Sequence, residues 1–142
     1  MKPIEILLVE DNQGDIMLTK EAFKDGKVAN SLHVVDDGEK ALMYLRKQGE
    51  FTDATTPDIV LLDLNLPKKD GRQVLHEIKT DEQLKRIPVV ILTTSVAQED
   101  VLSAYDNYAN CYIRKPVDLN KFMDVVQKVE SFWLTIVKLP TQ

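Results

Sequence analysis

Residues 58–67 read Asp-Ile-Val-Leu-Leu-Asp-Leu-Asn-Leu-Pro, or DIVLLDLNLP. The four apolar residues Ile59 to Leu62 have the length and branching of a buried strand. Asp63 follows at once, and Pro67 stops the run four residues later. A charge at the edge of a core costs free energy unless it is paired or used. Asp63 therefore calls for partners elsewhere in the chain.

Four more short apolar runs flank this one: Ile4–Val9, Leu32–Val35, Val89–Leu92 and Cys111–Ile113. Between them the apolar spacing turns helical. Ala41, Leu42 and Leu45 fall at i, i+1 and i+4, as do Val74, Leu75 and Ile78. Leu119, Phe122, Val126, Val129 and Trp133 continue at three- and four-residue steps. Asp70-Gly71 opens the third helical segment and Pro88 precedes the fourth strand. Five alternations of strand and helix predict a parallel sheet with helices on both faces. Near-continuous apolar strands fit a sheet buried on both sides. Right-handed crossovers then restrict the topology. The expected fold is α/β, a single doubly wound (βα)5 domain whose five-stranded parallel sheet has the order 2-1-3-4-5.

The bulk properties agree with one domain of this size. The chain has 142 residues, 44% of them hydrophobic, enough for a real core. A net charge of −5 with no basic block argues against nucleic acid as a partner. No apolar run is long enough to span a bilayer, and no basic segment followed by an apolar stretch opens the chain. The single cysteine, Cys111, allows no internal disulfide, fits a reducing cytoplasm and reads as inert packing. His33 and His76 stand in different segments without metal-ligand spacing.

Chemistry gathers at the strand ends. The first strand ends in Glu10-Asp11, the third in Asp63, the fourth in Thr93-Thr94-Ser95 and the fifth in Arg114-Lys115-Pro116. In a parallel sheet these ends share one edge, and the order 2-1-3-4-5 makes the first and third strands neighbours. Asp11 and Asp63 are thus expected side by side. Two carboxylates ~4 Å apart repel by about 4 kcal/mol at an effective dielectric near 20. A divalent cation with hard oxygen ligands, Mg²⁺ above all, relieves that repulsion. Lys115 adds a point charge for phosphate and Thr93 a hydroxyl donor. Together they describe a phosphoryl-transfer site with Asp63 as nucleophile. Acids after strands also cap helices, and Asp11 or Asp36 alone would be read that way. Four strand ends supplying one chemistry outweigh that reading. No Gly-x4-Gly-Lys-Ser/Thr loop and no Gly-x-Gly-x-x-Gly is present, which removes P-loop and dinucleotide-binding alternatives.

LLVEDN at 7–12, LLDLNLPKKDG at 61–71, VVILTTS at 89–95 and YIRKP at 112–116 closely resemble the receiver domain of two-component response regulators, which has a flavodoxin-like fold. The resemblance implies that Asp63 accepts a phosphoryl group from a histidine kinase. It implies Mg²⁺ (or Mn²⁺) held by Asp11, Asp63 and the backbone carbonyl of Asn65, with Glu10 reaching it through water. It further implies that Lys115 contacts the phosphoryl group, that Thr93 and its neighbour Thr94 serve phosphate binding and switching, that Tyr112 changes rotamer, and that the Lys115–Pro116 bond is cis. The segment KQGEFTDATTPD (47–58) and the C-terminal FWLTIVKLPTQ (132–142) are similar to stand-alone regulators serving cyanobacterial phytochromes, so the implied kinase is a phytochrome.

The expected division is a receiver domain over 1–134 and a C-terminal extension over 135–142. Output is expected through protein–protein contact at the face of the fourth helix, fifth strand and fifth helix, in the cytoplasm, without membrane or nucleic acid. Val125, Phe132 and Leu139 recur every seven residues and, with Tyr105 and Tyr108, suggest a homodimer. Asn65 stands where a metal-dependent phosphatase carries a second Asp, so at most slow autodephosphorylation is expected, not enzyme activity. The competing reading is a phosphorylation-independent binding module on the same fold. Intact Asp11, Asp63, Thr93 and Lys115 favour the phosphoacceptor.

Overall fold

The computed structural model describes residues 3–25, 29–93, 111–115 and 124. Within them run β1 (Ile4–Val9), α1 (Gln13–Asp25), β2 (Asn30–Val35), α2 (Gly38–Leu45), β3 (Ile59–Asp63), α3 (Gly71–Thr80), β4 (Val89–Thr93) and β5 (Cys111–Arg114). One 3-10 turn, Gly49–Phe51, follows α2. All neighbouring strands are parallel, in the order β2-β1-β3-β4-β5. The expected strand order is therefore observed. The expected fourth and fifth helical segments, the residues of the suggested dimer contact, Thr94, Pro116 and the 135–142 extension lie outside the described residues, as do the side chains of Thr93 and Tyr112.

β3 and β4, and β1 beyond Glu5, are apolar because each feeds two cores. Successive side chains of a strand point to opposite faces. Leu7 and Val9, Val60 and Leu62, and Val89 and Ile91 join Ala41, Leu42, Val74, Leu75 and Ile78 on the α2–α3 side. Ile6 and Leu8, Ile59 and Leu61, and Val90 and Leu92 join Ile16 and Phe23 on the α1 side. Each helix presents residues three or four apart to its core. On the described residues of the three helices, the large exposed apolar side chains are Met17 and Leu18 of α1.

Sidedness continues past the apolar residues. Ile6, Leu8 and then Glu10 share one parity, as do Ile59, Leu61 and Asp63. The register pairs Leu8 with Leu61, Asp63 with Leu92, and Leu92 with Ile113. Two residues beyond Ile113 stands Lys115. Glu10, Asp63 and Lys115 are thus the polar continuation of the stripe that packs against α1.

Caps fix where the helices start. The Asn12 side chain accepts from Asp15 N–H at 2.9 Å, Asp37 from Lys40 N–H at 2.8 Å, and Asp70 from Arg72 N–H at 2.7 Å. The residues capping α1 and α2 are therefore Asn12 and Asp37, one position beyond the Asp11 and Asp36 that sequence pattern suggests for this role. Asp36 instead pairs with Lys40 at 3.0 Å on the surface. The extra length around α2 belongs to its connection rather than to the helix. Lys47 and Gly49 both take positive φ, 55° and 59°, which a continuing helix forbids. Among the described residues no helix is long and apolar enough to cross a membrane.

Candidate functional site

Three strand ends build the site. Glu10 N–H still donates to Val35 O at 3.0 Å, so the sheet ladder holds the backbone beyond β1. Asp63 is the last residue of β3 and is 3% exposed, while Glu10 is 1% exposed. Lys115 follows β5, its side chain 8% exposed. One carboxylate oxygen from each of Glu10, Asp11 and Asp63 lies within 4.8 Å of the other two. Asp11, unlike the others, is exposed. The structure thus brings the two acids of the first strand end beside that of the third.

Lys115 lies among the acids. Its ammonium nitrogen is 2.5 Å from Glu10 Oε1, 3.2 Å from Asp15 Oδ2 and 3.3 Å from Asp63 Oδ2. The Asp15 contact is a hydrogen bond. Glu10 Oε1 sits close to Lys115 but accepts no well-aligned hydrogen bond, although it is buried. The other Glu10 oxygen accepts from Asn12 N–H at 3.2 Å. Asp63 Oδ1 accepts from Asn65 N–H at 3.2 Å. Asp63 thereby has one oxygen turned to the backbone and the other to Lys115.

These contacts set the protonation states. Burial pushes the Glu10 carboxyl up to about 7, a rise that the Lys115 contact and Asn12 N–H counter and the Asp63 charge reinforces. Burial works against the Lys115 ammonium, but its close contact with Glu10 and the charges of Asp63 and Glu10 prevail, and its pKa is raised. Lys115 therefore stays a cation at neutral pH. One cation faces more negative charge than it can balance.

A close approach holds the backbone of Asp63 in place. Gly71 N–H donates to Leu64 O at 2.9 Å, and a Cβ on Gly71 would collide with the Asp63 carbonyl oxygen and Leu64 Cα. Gly71→Ala must push α3 away from the end of β3. We expect a loss of about 1–3 kcal/mol, read as a lower urea midpoint at unchanged slope.

Asp15 is the site residue that strand-end reasoning misses. It lies in the first turn of α1, one helical turn beyond Asp11, and that i+4 spacing is the signal in the sequence. Thr93 ends β4, in register with Arg114. Met17 and Leu18, 66% and 55% exposed, lie on the same helix as Asp15.

The response regulator receiver domain family matches residues 6–127. The chain belongs to this family. It is 48% identical over 138 residues to the response regulator Rcp1 of Synechocystis sp., covering 97% of this chain and 94% of that protein. The phosphorylated cyanobacterial phytochrome response regulator RcpA superposes with a TM-score of 0.79 at 50% identity, over 94% of this chain and 95% of that one. The Mn²⁺-bound form of Rcp1 superposes with a TM-score of 0.77 at 47% identity, over 95% and 97%. The fold of this receiver is therefore α/β and flavodoxin-like, with a parallel sheet. Its relatives include phytochrome response regulators.

A cation suits the acidic edge of this receiver. The donor set is oxygen-only, three carboxylates converge, and a buried Glu10 oxygen lacks an aligned donor. Hard divalent ions such as Mg²⁺ and Mn²⁺ prefer such sets.

Proposed function

We propose that this receiver is a phosphoacceptor switch, modified on Asp63 by a histidine kinase of the phytochrome class. The observation that carries the reading is Asp63 itself: a buried carboxylate at a strand end, 3.3 Å from the Lys115 ammonium and within 4.8 Å of two further acids. A rigid strand fixes the nucleophile better than a loop does. One Asp63 oxygen forms the new P–O bond while the P–N bond of phosphohistidine breaks and its electrons return to the imidazole. Lys115 stabilises charge on the phosphoryl oxygens. Asn65 N–H orients Asp63 through its other oxygen.

Asp11, Asp63, the Asn65 carbonyl and, through water, Glu10 would hold Mg²⁺ or Mn²⁺. When bound, the cation neutralises the carboxylates and polarises the incoming phosphoryl group. Thr93 and Thr94 supply hydroxyls to the phosphoryl group, and Thr93 with Tyr112 relays its arrival to the face of the fourth helix, fifth strand and fifth helix, across a cis Lys115–Pro116 bond. The full (βα)5 repeat supports that face, the 1–134 domain carries it, and a homodimer presents it to cytoplasmic partners. Met17 and Leu18 give a docking kinase an apolar contact on α1. Hydrolysis of the acyl phosphate is slow and spontaneous.

The test is intact mass after incubation with acetyl phosphate. One added phosphoryl group is expected with Mg²⁺ and none with excess chelator, and fragment masses should assign it to Asp63. No uptake from acetyl phosphate or from a phytochrome kinase would favour the phosphorylation-independent binding module.

A further inference from the structure

Lys115 and Asp15 meet from positions 100 residues apart. Of the carboxylates around the ammonium, Glu10 and Asp63 also belong to the acidic group that can take a cation, and Asp15 does not. Asp11, Asp63 and, through water, Glu10 would hold a cation, whose charge would weaken the attraction of Glu10 and Asp63 for Lys115. Asp15 keeps its hold. It sits in the first turn of a helix, where the dipole favours its charge. Its backbone is fixed at both ends, since its N–H donates to Asn12 Oδ1 at 2.9 Å and its carbonyl accepts from Thr19 Oγ1 at 2.8 Å. Thr19 is 2% exposed, so this turn is anchored in the core.

We infer that Asp15 is a positioning residue for the phosphoryl-transfer reaction, a helix-mounted anchor that keeps the Lys115 ammonium aimed at Asp63. This rests on the phosphoacceptor reading above. An ammonium has three donors. With one donor held by Asp15, the other two are free to exchange Glu10 and Asp63 oxygens for phosphoryl oxygens without the side chain leaving the site. Freed from Asp15, the four-carbon stem samples more rotamers, and each approach must restrict it again. Glu10 and Asp63 keep Lys115 charged against the cost of burial, so the effect of Asp15 is on place rather than on charge.

The experiment compares initial rates of phosphoryl uptake from acetyl phosphate with saturating Mg²⁺ in the full chain, Asp15→Ala and Asp15→Asn. Asp15→Ala is expected to slow uptake on the order of tenfold. Asp15→Asn, whose amide oxygen still accepts from Lys115, is expected to stay within about threefold of wild type. Mg²⁺ affinity by calorimetry should change by no more than about threefold in either, because Asp15 is outside the ligand group and part-exposed. Should Asp15→Ala lose helical signal, Asp15→Ser carries the same comparison. Wild-type uptake with an unchanged Asp15→Ala rate overturns this inference alone. So does an Asp15→Asn rate as slow as that of Asp15→Ala, which would assign the effect to charge. A wild-type chain that takes up no phosphoryl group overturns the phosphoacceptor reading, and this inference with it.

Discussion

Asp63→Asn is expected to take up phosphoryl groups at least about 10³-fold more slowly than wild type, with no loss of stability. A carboxylate attacks phosphorus with a full negative charge, and a carboxamide oxygen does not. The substitution is nearly isosteric. The amide oxygen can still accept from Asn65 N–H, the bond Asp63 Oδ1 makes at 3.2 Å. Lys115 loses one of three carboxylate contacts and keeps those to Glu10 and Asp15. Repulsion among the acids falls by the same substitution. Intact mass with acetyl phosphate and Mg²⁺ reads the uptake, and urea unfolding reads the stability. Uptake persisting in a folded Asp63→Asn chain would move the nucleophile elsewhere, with exposed Asp11 the nearest alternative.

The second large effect concerns pH. The Glu10 carboxyl has a folded-state pKa of about 7 against an ordinary 4.5. Between these values the native protein binds more protons than the unfolded chain, so unfolding free energy falls as pH rises. The contribution from Glu10 is fully present below about 4.5 and is lost as pH rises through about 7. A change of that size corresponds to up to about 3 kcal/mol. Glu10→Gln, uncharged throughout, is expected to remove this part of the slope. Urea unfolding in chelator from pH 4.5 to 8, wild type against Glu10→Gln, isolates it from other titrating groups. Mg²⁺ is expected to stabilise wild type most at the alkaline end, where the carboxylates are ionised, because a ligand of the native state adds stability by mass action. Parallel curves for wild type and Glu10→Gln would show that Lys115 alone balances Glu10.

The strands, their parallel order and the acidic edge were legible because each depends on local pattern. A run such as Ile59–Leu62 is apolar at every position, which only a strand buried on both faces requires. Alternation of strands and helices then leaves few topologies, and strand order carries Glu10, Asp11 and Asp63 to one edge. The helix starts were harder. Asn12 and Asp37 cap where sequence pattern pointed to Asp11 and Asp36, because neighbouring polar residues differ only in which side chain the turn aims at the free N–H groups. The length of α2 was hidden too, since Lys47 carries no sequence mark of its positive φ.

Residue order in this chain dictates which elements form, which face each residue takes and what chemistry collects at the sheet edge. Period two along a strand and 3.6 along a helix are properties of the backbone, and they can be counted without coordinates. Partner choice is of another kind. That Lys115 reaches Asp15 as well as Glu10 and Asp63, and that Gly71 must lack a side chain against the Asp63 carbonyl, depends on how α1 and α3 lie against the sheet. Those placements come from packing two apolar cores to density, a balance summed over residues distant in sequence, and no local pattern encodes it.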